Sequence, residues 1–94
     1  MNAAEIKMKK MVVVTKAEYV SERTLDVTFS DGVRAKIDFS EWIERYPFFA
    51  PLKDTDYFKN FLLDGWTVGW PNGADIAPET LYQIAVRSMQ KQTI

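Results

Sequence analysis

TLDVTFSDGVRAKID, residues 24–38, alternates apolar and polar side chains on both sides of an Asp-Gly pair. Leu25, Val27 and Phe29 share one face of the first run. Val33, Ala35 and Ile37 share one face of the second. Successive side chains on a strand point to opposite sides, so each run reads as a strand with one covered face. Asp31 and Gly32 tolerate positive φ, which predicts a hairpin between strands over 24–29 and 33–37. A slip of one residue would turn the whole apolar set to water, so the pattern specifies the register. The rest of the chain must then supply a cover for that face.

The cover is legible in outline. Residues 11–19, MVVVTKAEY, are β-branched and then alternating, which predicts a first strand, with a polar turn over 20–23. After the hairpin, Asp38 or Ser40 can accept from free amides, and Asp38 with Glu41 has the spacing of a capping box. The helix that follows must be short, because Pro47 ends it at Tyr46. Residues 48–52, FFAPL, read as an apolar loop. Asp54 is placed to cap a turn or two of helix over 54–60. Asp64-Gly65 then separates 61–63 from 66–70, predicting a second hairpin with Trp66, Val68 and Trp70 on one face. Gly69 inside that strand marks a bulge or a close backbone approach. Pro71-Asn72-Gly73 is a turn. Pro78 suits the first position of a final helix, on which Leu81, Ile84, Ala85 and Ser88 share a face. The fold class expected is α+β, a small mainly antiparallel sheet with two Asp-Gly hairpins, short helices and a C-terminal helix packed on the sheet. With 94 residues the chain suits one domain. The domain is expected over 11–90, with frayed ends at 1–10 and 91–94.

Composition narrows the chemistry. Twelve basic and thirteen acidic residues give a net charge of −1, which disfavours a function resting on a strong positive field. Lys7, Lys9, Lys10, Lys16 and Arg34 are the candidates for a local nucleic-acid contact, and Lys7–Lys10 read better as a solubilising fringe. With no cysteine, disulfides and thiol nucleophiles are absent, and with no histidine a Ser-His-Asp triad is impossible. No run approaches the ~20 apolar residues of a membrane span, and the opening residues lack the apolar stretch of a secretory signal. The expectation is a cytoplasmic protein with no membrane partner and no cofactor.

Each candidate site has a structural reading beside it. Asp54 and Asp56 lack the glycine and glutamate of a calcium loop, so Asp54 is read as a cap and no metal site is expected. Asp75 and Glu79 could serve as general acid or base in an aromatic cleft, but no nucleophile or orienting group pairs with them. Asp75, Gly73 and Pro78 are therefore read as structural, with Asp75 near the free amides of the last helix. Aromatics make up 14% of the chain, more than a small core requires. The expected contact surface is Phe48, Phe49, Trp70 and Asn72, since consecutive loop residues do not all point inward.

TLDVTFSDG with VRAKIDFSEW, then PFFAPLKDTDYFKNF, then VGWPNGADIAPETLY together resemble the bacterial family called domain of unknown function 2442, over about residues 11–86. Members of that family are also similar to the N-terminal domain of a larger helix-turn-helix regulator-like protein. The resemblance implies no reaction and no catalytic residues, so an enzyme is not expected. It implies a small protein paired with another small protein encoded nearby, in an antitoxin-like or regulatory arrangement; direct nucleic-acid binding by this chain alone is not expected. Exposed sheet edges would also make a homo-oligomer easy to form. Such families carry serine where this chain has Ala77, and alanine cannot cap a helix.

Overall fold

The strand at the centre of the molecule, β2 (Thr24–Phe29), buries every second residue: Leu25, Val27 and Phe29 are inside, and Thr24, Asp26 and Thr28 are half-covered. A computed structural model of the chain describes residues 12–92. Strand β1 (Val14–Ser21) and strand β3 (Arg34–Asp38) flank β2 antiparallel, in the order β1-β2-β3. The β2–β3 register sets Leu25 opposite Ile37 and Val27 opposite Ala35. At the turn between them Gly32 takes φ +95° and Asp31 accepts the Val33 amide at 3.0 Å. The first hairpin is as the alternation predicts. Strand β1 starts and ends later than its apolar run suggests, and its register shifts between Val14 and Lys16 and again between Tyr19 and Ser21. Bulges of this kind bend an edge strand.

Below the sheet the chain makes four short pieces. Helix α1 spans Ser40–Arg45 and buries Ile43. Asp38 accepts the Ser40 amide at 2.8 Å, but Glu41 pairs with Arg45 at 3.3 Å, so the expected reciprocal box does not close. Residues Pro47–Lys53 form a 3-10 helix, not the loop expected. Its three-residue period stacks Phe49 and Leu52 on one side, where both are buried. Helix α2 (Thr55–Phe58) is capped by Asp54, which accepts the Asp56 amide at 3.0 Å. A second hairpin follows, β4 (Leu62–Leu63) with β5 (Val68–Gly69), paired Leu62 to Gly69 and Leu63 to Val68.

Helix α3 (Pro78–Gln92) closes the core with Leu81 and Ala85. The expectations for residues 1–10 and 93–94 lie outside the described residues. Tyr82 ties α3 to the sheet: its ring meets Phe29 edge-on at 5.2 Å and its hydroxyl donates to Asp31 at 2.6 Å. In the middle sits an aromatic group. Phe39 lies 5.7 Å from Phe58 and 5.6 Å from Trp70, and Phe58 stacks on Trp70 at 5.6 Å. Contacts of this geometry add on the order of 0.5–1.5 kcal/mol each beyond the area they bury. The result is a mixed α+β fold with a small antiparallel sheet, as expected; the second hairpin forms a two-stranded sheet of its own instead of joining the first.

Candidate functional site

The expected contact surface divides once the residues are placed. Phe48 is 57% exposed on the outer side of the 3-10 helix. Phe49, its neighbour, is buried at 8%, which corrects its assignment to the surface. Three-residue periodicity turns Phe48 outward when Phe49 and Leu52 turn in. Trp70 is also corrected: it is 3% exposed, and its indole N–H donates to the Phe58 carbonyl at 2.8 Å. A tryptophan is buried at low cost where its one donor finds an acceptor. Asn72 is half-buried and occupied. Its amide nitrogen donates to the Phe48 carbonyl at 3.1 Å, and its oxygen accepts from the Ala74 amide at 3.0 Å.

The capping expectation for Asp75 is corrected as well. Its backbone bridges to Gly69, and its exposed carboxylate accepts no hydrogen bond among the described residues. The Ala77 carbonyl takes the first helical amides, from Thr80 at 3.0 Å and Leu81 at 3.2 Å, so Ala77 holds the cap position with no side chain to fill it. Gly69, in β5, marks a close backbone approach and Gly73 serves the turn, as expected. A Cβ on Gly69 would lie 3.1 Å from the Ala74 carbonyl oxygen, and Gly73 takes φ +92°.

The surface that sequence reasoning missed is the second hairpin. Leu62 is 56% exposed, Leu63 41% and Trp66 50%. Trp66 was expected to share one face with Val68 and Trp70. It does not, because it belongs to the hairpin loop and the strand begins only at Val68. Thr67 takes the inner place instead, donating its hydroxyl to the Ile76 carbonyl at 2.6 Å. Two signals pointed here. Adjacent leucines on a strand cannot both face one side, and a short loop after Asp-Gly need not keep the strand's alternation.

This apolar ridge is held firmly. The Asp64 carboxylate accepts from the Trp66 amide at 3.0 Å and the Thr67 amide at 2.9 Å. Those two backbone donors, Thr67 first, hold the Asp64 carboxyl below the usual carboxylate range. The Trp66 carbonyl accepts from the Val14 amide at 2.9 Å, fastening the loop to the start of β1. A hairpin with two-residue strands would be marginal alone, and these ties fix it to the main sheet.

A family model described as protein of unknown function (DUF2442) matches residues 14–87. The chain belongs to the DUF2442 family. Neither a curated protein nor a solved structure matches the chain. The DUF2442 segment opens at the first residue of β1 and runs into α3, so it contains the ridge, Phe48 and the Asn72 turn.

The remaining candidates sit apart. On the outer face of the sheet, Arg34 clasps Asp26 through both carboxylate oxygens, with contacts of 2.8–3.2 Å. That hydrogen bonding, ahead of other causes, holds the Asp26 carboxyl below its ordinary value. Lys16 lies 3.8 Å from Glu18. These four, with Thr28, line a shallow cleft of about 10 Å³, room for a single water. Glu79 is exposed and, like Asp75, accepts no hydrogen bond from a described residue. Lys7, Lys9 and Lys10 lie outside the described residues. No described helix is long and apolar enough to cross a membrane.

Proposed function

We propose that this chain is a protein-interaction module, and that the ridge formed by the second hairpin is its contact surface, with Trp66 as the anchor and Leu62 and Leu63 exposed on the strand before it. One observation carries the reading: three large apolar side chains stand 41–56% exposed within five residues, on a hairpin whose loop is held by the Asp64 carboxylate. Grouped apolar exposure on a rigid support marks contact surfaces, and tryptophan is the residue most enriched where contacts carry binding energy. Phe48 and Tyr46, 57% and 46% exposed, extend the apolar surface elsewhere on the domain. The partner in this reading is a small protein, in the regulatory, antitoxin-like pairing that the family resemblance suggests. The alternative of nucleic-acid binding draws less support, since Arg34 and Lys16 are each engaged by a carboxylate.

Native purification of the tagged chain from cells that encode it tests the proposal. A small protein retained in fixed stoichiometry through a second, size-based step is the result expected. A chain that emerges alone and monomeric, or with nucleic acid only, contradicts it.

A further inference from the structure

Asn72-Gly73 is the one Asn-Gly pair in the chain. A glycine after asparagine carries no Cβ to block its backbone nitrogen from the side-chain carbonyl carbon. Such pairs are the ones most open to spontaneous loss of ammonia. Here the groups that this reaction needs are all engaged. The Gly73 amide donates to the Trp70 carbonyl at 2.9 Å. The Asn72 side-chain oxygen accepts from Ala74, and its nitrogen donates to Phe48. The orientation of the amide is fixed by its partners, one a carbonyl and the other an N–H.

We propose that Asn72 is a deamidation site that the fold holds shut, and that its conversion cuts the tie between the 70–74 turn and the Phe48 segment. In the reaction, hydroxide takes the proton of the Gly73 amide. The nitrogen's electron pair then forms a bond to Asn72 Cγ. The Cγ–Nδ2 bond breaks, and Nδ2 leaves as ammonia with a proton from water. Water next opens the five-membered imide at either carbonyl, giving aspartate or isoaspartate. One water is consumed, one ammonia is released, and no oxidant or reductant takes part.

Attack requires that Gly73 leave Trp70 and that the Asn72 amide leave both its partners. The rate in the native protein is therefore set by how often this turn opens. The product differs from the starting residue at one contact. Aspartate still accepts from Ala74, but at neutral pH it has no proton for the Phe48 carbonyl and sets a negative charge against it. Isoaspartate also lengthens the main chain by one carbon, in a turn whose next residue, Gly73, takes φ +92°.

The test uses the wild-type chain in mildly alkaline buffer, folded and in denaturing urea, with intact mass and peptide mapping over time. Isomerisation at Asp31-Gly32 or Asp64-Gly65 leaves the mass unchanged, and mapping separates Asn72 from Asn2 and Asn60. Conversion at Asn72 is expected to run at least about tenfold faster in the unfolded chain. Equal rates in the two states overturn the protection. The Asn72→Asp variant is expected to unfold at a lower urea concentration than wild type. An unchanged midpoint overturns the tie.

Discussion

Ala77 holds the cap position of the longest helix, and its carbonyl already receives the Thr80 and Leu81 amides. The side chain has no oxygen to offer the next free donors, and Asp75 does not reach them. Ala77→Ser supplies that acceptor at an exposed position. The expected gain is about 1 kcal/mol, or roughly 4–8 °C in Tm for a domain of this size. Thermal unfolding followed by circular dichroism checks it; an unchanged or lowered Tm means that water already serves those amides as well. The same pair of residues shows what a sequence does and does not disclose. Proline at 78 announced where the helix begins, because its chemistry is local. The reach of the Asp75 carboxylate depended on the backbone bridge to Gly69, a pairing with no local signature.

The 3-10 helix Pro47–Lys53 gives a sharp contrast between neighbours. Phe49→Ala removes a buried ring and is expected to cost about 3–5 kcal/mol. Phe48→Ala removes a ring that is 57% exposed and is expected to change stability by less than about 1 kcal/mol. Urea unfolding of the two variants decides the matter, and equal losses would mean that Phe48 contributes to the core. At this scale the two Asp-Gly hairpins, the short helices and the last helix were all legible, since alternation, turn residues and caps are short-range signals. The 3-10 helix was not. FFAPL reads as a loop because its proline and short length argue against an α-helix, and a 3-10 turn leaves no strong signal in so short a run. The outward turn of Trp66 was hidden for a related reason: Thr67, a polar residue, took the inner place once its hydroxyl found Ile76. Such a partner is visible only after the chain has folded.

At the scale of the molecule, three carboxylates among the described residues are held below their ordinary values of 3.8 or 4.5: Asp26 by Arg34, Glu44 by Arg23, and Asp64 by the Thr67 and Trp66 amides. A folded value below the unfolded one favours the ionised, folded form. That contribution is complete above the unfolded values and is lost as pH falls through the folded ones. Tyr82 acts in the opposite direction: its hydrogen bond to Asp31 raises it above 10.0, so its contribution is complete below that pH and is lost as pH rises through the folded value. Urea midpoints are therefore expected to fall below about pH 4, and Asp64→Asn, which keeps an acceptor for the turn, is expected to soften that acid slope. An identical slope in the variant contradicts the role given to Asp64. The polar sheet face, the covered face and the apolar ridge leave the molecule with two unlike surfaces, and the ridge is the one that its charge and composition did not announce. The most direct test of the account is a binding titration of the co-purified partner against wild type and Trp66→Ala, with Tm measured for both. The account predicts an unchanged Tm and an affinity loss of at least about 2 kcal/mol, roughly thirtyfold. Equal affinities for the two chains would contradict it.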